Sequence, residues 1–498
     1  MKICFLLQRR FAYLGHNLAI LLKEKYGVHD FCGYVYLRSS FNFLKDQKDI
    51  QYSTLILDED IHEQYKNEKL DLDYLRWLEK EYGLPNLWPY IAVDRIIMYN
   101  QLVREYPYNT PIFTHEEMLR MLQVTAKAVI SFLETEKPDA LIVSVVAGMA
   151  STLLFHIAKI KGIKTYILHP IIKNRTSVSE DYEKETFGAD TEIIPPHFLE
   201  KAREYLAVYR QQPVSYAPPS YKKRQQTSRR QQMIFLLPSN LGRIIFWFFK
   251  SLKIYFTSQE KNDYSYITPW NYLKDGLKRK IRNIIGVNDL YDAPDSKDNY
   301  AFFPLHLEPE SSLLYMAPFK LNQLEVIRQI ARSLPVGYKV YVKEHPLMVK
   351  YRPRAYYKEL KKIPNVKLID PVISGFELTK NAKLVTVIAG STGWEATLLQ
   401  KPVITFGKAH YNQLSFVKKS RAYEDLPYLI KEQLENFHYN EQEMEIYLAK
   451  VFSSSADRVD LSMLWENPGD SRQQQLAALE PLADLIAKKI NLKTVFLK

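Results

Sequence analysis

Cysteine is nearly missing from this 498-residue chain, which holds only Cys4 and Cys32. Two cysteines exclude both a disulfide framework and a zinc-ligand spacing, and they favour a reducing compartment. Cys4 lies in an apolar run, where a free thiol behaves as a small hydrophobe. Also missing is any convincing membrane span. The uncharged stretch Ala140–Ala158 has the length for one, but Ser144, Gly148, Ser151, Thr152 and His156 interrupt it. A strand, a glycine turn and a buried helix account for it more simply. At the N-terminus the apolar run Ile3–Leu7 meets Arg9 and Arg10 almost at once. That is too short for a signal-peptide core and has its charges in the wrong order, so a first strand is expected. No internal repeat, heptad array or low-complexity tract is present. Glycine is sparse at 16 residues while tyrosine reaches 35. Tyrosine presents an apolar face and a polar tip, which suits carbohydrate or interface surfaces; compositional drift explains the excess equally well.

What is present indicates a multidomain protein. Single hydrophobic cores stop growing near ~250–300 residues, so this length implies two or three domains. The net charge of +12 is unevenly placed. Between Tyr221 and Arg282, cations such as Lys222, Lys223, Arg224, Arg229 and Arg230 surround the apolar runs Met233–Leu237 and Ile244–Phe249. Basic residues flanking aromatic runs are the pattern of a segment lying in an anionic membrane interface. An interdomain helical pair that buries those aromatics against its neighbours is an equal alternative. Nucleic acid ranks below both, because no nucleic-acid-binding motif accompanies the patch.

Strand-like and helix-like patterns alternate in two regions, as in open α/β sheets. In the first, strands are expected at Lys2–Leu7, Phe31–Leu37, Ala140–Val145 and Thr165–His169, with helices at Gly15–Tyr26 and Ser151–Lys161. The second has expected strands at Tyr300–Leu305, Lys339–Lys343, Val366–Ile369, Leu384–Ile388 and Pro402–Phe406, with helices between them. The expected division is a first Rossmann-like lobe at 1–196, a basic insertion at 197–298, a second Rossmann-like lobe at 299–435 and C-terminal helices at 436–498.

In open parallel sheets, ligands bind outside the carboxyl ends of the strands. Two such ends in the second lobe carry chemistry. One strand runs into Lys343-Glu344-His345-Pro346. Another meets a helix through Ala389-Gly390-Ser391-Thr392-Gly393-Trp394-Glu395-Ala396. There the Ser391 and Thr392 hydroxyls converge with the first helical N–H groups, an arrangement that attracts a phosphate. A plain N-cap is the competing reading of Ser391 and Thr392.

Lys343–Pro346 and Gly390–Ala396, followed by Lys401–Gly407, resemble the donor-binding lobe of the bacterial capsule polysaccharide biosynthesis family. That family includes the Kdo transferases that build the lipid-linked base of capsules. The same pairing is similar to the CMP-binding motifs of bacterial sialyltransferases. The resemblance implies a two-lobed GT-B fold and a nucleotide-sugar substrate, CMP-linked first and UDP- or GDP-linked next, with no resident cofactor. It implies a glycan or glycolipid acceptor and a cytoplasmic protein, peripheral on the inner membrane face if the basic segment binds lipid. It also implies phosphate contacts from His345, Ser391 and Thr392, with Lys343, Gly390 and Gly393 around them, and a ribose contact from Glu395. The chain departs from the family after the first strand of this lobe. There Leu305-His306-Leu307-Glu308 stands where a Gln- and Asp-containing loop is usual, and His306 and Glu308 are expected to do similar work.

A transferase needs a base within reach of the acceptor hydroxyl. The polar stretch Asn174–Asp181 follows the strand ending at His169, so Asp181 or Glu180 is the candidate base or nucleophile. Asn174 and Arg175 are candidate acceptor contacts; a solvated connector is the bland alternative. No Asp-x-Asp motif sits at a strand end, so no metal is expected, and Lys343 with the helix dipole would steady the leaving phosphate. A sugar-nucleotide epimerase or a non-catalytic glycan assembly protein would share these motifs.

Overall fold

The computed structural model describes residues 1–101, 110–182, 194–216, 237–349, 351–461, 464 and 472–494. The first lobe contains β1 (Lys2–Leu7), β2 (Asp30–Val35), β3 (Tyr52–Leu57), β4 (Ala140–Val143), β5 (Lys164–Ile172) and β6 (Arg175–Ser179), in the order β6-β5-β4-β1-β2-β3. β1 to β5 run parallel, and β6 returns antiparallel to β5. Alternation along β1 builds both layers. Ile3, Phe5 and Leu7 face the helix Phe11–Tyr26, while Cys4 and Leu6 face the helices His115–Glu136 and Met149–Ile160. Cys4 and Cys32 are register partners, both buried and both free thiols. The long helix His115–Glu136 starts at a capping box, with Thr114 and Glu117 satisfying each other's backbone N–H groups.

The second lobe repeats the design with β7 (Asn299–Pro304), β8 (Tyr338–Lys343), β9 (Val366–Ile369), β10 (Leu384–Val387), β11 (Val403–Thr405) and β12 (Val417–Lys419). Its order is β12-β11-β10-β7-β8-β9, parallel throughout. Each sheet therefore reverses direction beside its first strand, between β1 and β4 and between β7 and β10. The crevice outside the strand ends at such a reversal is where open α/β sheets place ligands. Two Rossmann-like lobes, as expected, make up the molecule.

Several expectations need correcting. Asn174–Asp181 is not a connector. Most of it is β6, whose residues are all buried. Short hydroxyl side chains are tolerated there because neighbours satisfy them: Thr176 donates to the Val459 carbonyl at 2.8 Å and Ser177 to that of His169 at 3.3 Å. β13 (Ser455–Asp457) adds to the free edge of β6. The C-terminal helices do not form a unit of their own. Glu441–Ser454 packs on the second lobe, while Arg472–Lys489 lies against Phe11–Tyr26 in the first. Lys25 pairs there with Glu480 and Asp484, at 2.8 and 2.6 Å. The helix Pro196–Gln211, expected in the insertion, buries Ala202, Leu206 and Tyr209 in the second lobe's core.

The described part of the basic insertion is a helical hairpin, Pro238–Thr257 and Pro269–Ile285. The first helix buries no residue at all. A helical pair that hides its aromatics against the lobes is therefore not what forms. Residues 221–236 of the basic segment, with Lys222, Lys223, Arg224, Arg229 and Arg230, lie outside the described residues. The stretch Ala140–Ala158 is β4, a turn and most of a helix, as expected. Among the described residues no helix is long and apolar enough to cross a membrane.

Candidate functional site

The helix Ser391–Leu398 starts directly beyond β10, at the reversal of the second sheet. Its N-cap is Gly390 at φ 117°, a backbone conformation that side chains rarely adopt, and no side chain caps its first turn. The plain-cap reading of Ser391 and Thr392 thus fails, since both belong to the helix itself. Ser391 is exposed and Thr392 half-buried. Gly393 is required for a different reason: a Cβ there would fall 2.2 Å from the Tyr411 hydroxyl and 2.7 Å from Val387. That close approach presses the helix start onto the sheet, and Tyr411 donates to the Gly390 carbonyl at 2.8 Å.

The first lobe supplies an internal comparison. Its helix Met149–Ile160 occupies the corresponding place beyond β4, but there the N–H groups are already taken. Asp94 accepts from Met149 at 3.1 Å, and the Tyr36 hydroxyl accepts from Ser151 at 2.8 Å. Asp94 also accepts from Ile96 and Ile97. One helix start carries its own carboxylate; the positive end of the other is open among the described residues.

Lys343 ends β8 on the sheet face that carries the helices Gly375–Asn381 and Ser391–Leu398, since Tyr341 two residues before it packs in that core. It is only 5% exposed. Its ammonium lies close beneath Gly375 and feels Glu344 and Asp370 through charge alone, and burial lowers its pKa to about 8. Glu344 points to the opposite face, fully buried, where it pairs with Arg352 and accepts from Tyr357 at 2.7 Å. His345 accepts the Leu347 N–H on Nδ1 at 3.2 Å, which places the neutral ring's proton on Nε2 and makes that nitrogen a donor. β7 separates β8 from β10, so these two strand ends stand about 10 Å apart at ordinary strand spacing.

Other expected residues lie elsewhere. His306 is buried between the ends of β7 and β10, its Nε2 against the Ala389 backbone, and burial lowers its pKa to about 4. Glu308 is buried too, paired with Arg352 at 3.2 Å and bonded to Gln323. Both brace the strand ends from inside rather than line the crevice. Glu395 faces inward: it accepts from the Tyr216 N–H at 2.5 Å and the Ser215 hydroxyl at 3.1 Å, and burial raises its pKa to about 7. A segment of the chain thus holds the carboxylate expected to hold a ribose.

In the first lobe, Asn174 forms the β5–β6 turn at φ 60°. Arg175 is spent on structure: it pairs with Asp457 at 2.7 Å and stacks on Phe452. Glu180 and Asp181 follow the end of β6, level with the carboxyl end of β4 one strand away, Glu180 exposed and Asp181 half-buried. The charge of Asp181 reaches Tyr182 and, across the interlobe crevice, Tyr315. His169 of β5 stands there too, edge-on to Tyr182 at 5.3 Å and 6.2 Å from His410 of the second lobe. Sequence reading did not single out Arg352, Tyr36, His169 or Asp94 as site residues, because only the fold brings their partners near.

Residues 251–425, from within the hairpin to just beyond the second sheet, match the family model for capsule polysaccharide biosynthesis proteins. This is wider than the stretch from Lys343 to Gly407 that holds the motifs of the resemblance. No curated protein matches the chain. Among solved structures, the chain is similar to two solved chains of KpsC from Thermosulfurimonas dismutans. A beta Kdo 2,7 transferase has 12% identity, covers 76% of this chain and 94% of its own, and has a TM-score of 0.31. A beta Kdo 2,4 transferase has 12% identity, covers 63% and 80%, and has a TM-score of 0.34. The UDP-GlcNAc 2-epimerase of Methanocaldococcus jannaschii has 14% identity, covers 91% and 99%, and has a TM-score of 0.27. At these TM-scores the superpositions carry no functional inference.

Proposed function

We propose that the protein is a glycosyltransferase acting in capsule or other surface-polysaccharide synthesis. It moves a sugar, a Kdo-like acidic sugar from a CMP donor first among the candidates, onto a growing glycan or its lipid-linked primer. The observation that carries this reading is the helix start at Ser391, open among the described residues, on the same sheet face as a buried lysine that no described residue contacts with an opposite charge. Anions seek such a pair, because unpaired N–H groups and a desolvated cation both gain from a phosphate.

In this reading the donor phosphate sits on the Ser391 and Thr392 hydroxyls and the helix N–H groups, with His345 Nε2–H and Lys343 as further donors. Asp181, or Glu180 beside it, accepts the proton of the acceptor hydroxyl. The freed oxygen attacks the anomeric carbon, and the bond to the nucleotide phosphate breaks with its electron pair on the phosphate. Lys343 and the helix dipole stabilise that leaving charge, so the step calls for no resident cofactor or metal. A sugar-nucleotide epimerase would use the donor half but would take no acceptor.

Binding of CMP, UDP and GDP by calorimetry, followed by transfer assays with and without EDTA, tests this. CMP is expected to bind best, transfer to survive EDTA, and His345→Ala to abolish transfer while the fold stays intact. Indifference to every nucleotide would sink the enzyme reading, and turnover of donor without acceptor would favour the epimerase.

A further inference from the structure

The helical hairpin turns apolar stripes of both its helices to solvent. In Pro269–Ile285 the residues turned to the protein are polar: Asp275 and Asn283 are buried, and Arg279 pairs with Asp275 at 2.9 Å. These recur every four residues and form one face. The other face is apolar and faces solvent, with Leu273, Leu277, Ile281 and Ile284 spaced at helical intervals and Leu277 63% exposed. The partner helix Pro238–Thr257 packs Phe248 and Tyr255 toward the hairpin's other arm and still leaves a second apolar stripe in solvent. Ile245, Phe246, Phe249 and Phe256 stand outward, Phe246 at 73% and Phe256 at 70% exposure. An ordinary surface helix does the reverse.

The hairpin is nevertheless fixed in place. Trp247 meets Tyr272 and Phe248 meets Trp270 edge-on, at 5.2 and 5.3 Å, which joins the two helices. Between them, Asp263 is held by Arg38 at 2.6 Å, and Tyr264 stacks on His62 at 3.9 Å while donating to Asp58 at 2.9 Å. On the other side, Arg279 lies over Tyr351, 5.1 Å from the ring centroid, and Arg282 donates to the Tyr351 carbonyl. Asp58 follows the end of β3, and Tyr351 lies in the loop that follows β8. Both anchors are therefore on the carboxyl-end side of the sheets, the side of the interlobe crevice.

Charge decides among possible occupants. Pro238–Thr257 has Arg243, Lys250 and Lys253 and no acidic residue. Pro269–Ile285 has Lys274, Lys278 and Lys280 besides the two arginines, and its sole acid, Asp275, is turned inward. Two copies of so basic a face would repel one another. An anionic surface with an apolar layer beneath it satisfies both stripes at once. We propose that the hairpin docks on an anionic lipid bilayer, its Phe and Leu/Ile stripes set among the acyl chains and its lysines at the phosphates, with the crevice turned toward the membrane. The proposal rests on the hairpin alone, so it stands or falls separately from the donor reading.

Flotation of the full chain with vesicles of phosphatidylcholine and phosphatidylglycerol (3:1), or of phosphatidylcholine alone, tests it. Binding is expected only to the anionic vesicles and to weaken at 0.5 M salt. Lys250→Gln and Lys253→Gln should each lower partitioning by about fivefold. Phe246→Ser with Phe249→Ser should lower it by about tenfold or more, and far-UV circular dichroism with thermal unfolding, measured without vesicles, reports that these variants fold. Equal binding to both vesicle types, unchanged binding by the phenylalanine variant, or a stable dimer that binds no vesicles would each overturn the proposal.

Discussion

Replacing Lys343 with Met should make the protein more stable at neutral pH while weakening its hold on a nucleotide. Burial moves the Lys343 pKa from 10.5 to about 8, and each tenfold change in proton affinity corresponds to about 1.4 kcal/mol. Keeping this ammonium charged in the folded state therefore costs up to about 3 kcal/mol. The sign follows from proton binding. Below pH 8 both folded and unfolded states hold the proton, and the folded state bears the full cost. Between pH 8 and 10.5 the unfolded state binds more protons, so stability rises with pH. Methionine has a similar reach and no charge, and what it forfeits is attraction to Asp370 and Glu344, the latter already paired with Arg352. The net gain at pH 7 is about 1–3 kcal/mol, which at about 2–4 °C per kcal/mol is a rise of a few to about ten degrees in Tm. The gap should narrow at pH 10. Calorimetric unfolding of both proteins at pH 7 and pH 10 measures this, and CMP affinity at pH 7 should fall by about 10- to 100-fold. A variant less stable at pH 7, or a gap that does not narrow, would show that Lys343 is a structural ion-pair partner and not a cation held in reserve for a ligand.

Glu395 should give the opposite slope. Its pKa, raised to about 7 by burial, lets the folded state keep a proton that the unfolded state loses near 4.5, so stability falls as pH rises between those values. Glu395→Gln should flatten the urea-midpoint profile from pH 5 to pH 8; an unaltered slope would place the effect elsewhere. Arg352 is fully buried against Glu344 and Glu308, and Arg352→Met leaves two carboxylates facing each other. A loss of about 3–5 kcal/mol is expected, read from the same urea titration, and a wild-type midpoint would mean those carboxylates protonate freely.

Much of the second lobe was legible from residue order alone. Short apolar runs separated by amphipathic helices gave Val366–Ile369 its observed bounds, because local periodicity responds to burial on one face or both. The glycines around Ser391 and Thr392 likewise announced a strand-to-helix turn, since Gly390 adopts a backbone few residues tolerate and Gly393 fits where no side chain can. The hairpin's mixture of cations and aromatics was visible too.

Which way those side chains face was not. Periodicity shows that a helix has two faces but not which one meets the protein, and in Pro269–Ile285 the polar face does. The hydroxyl-rich Arg175–Ser179 looked like a loop because its hydrogen-bond partners, at Ser455 and Val459, come from the far end of the chain. His306, Glu308 and Glu395 had the right chemistry for a ligand, and the fold supplied Arg352, Gln323, Ala389, Ser215 and Tyr216 as their partners instead. Residue order determined two parallel sheets and a phosphate-sized turn. Tertiary contact alone decided which polar groups were left over, because a buried hydrogen bond or charge is settled by whatever lies within about 3 Å, however distant in the chain.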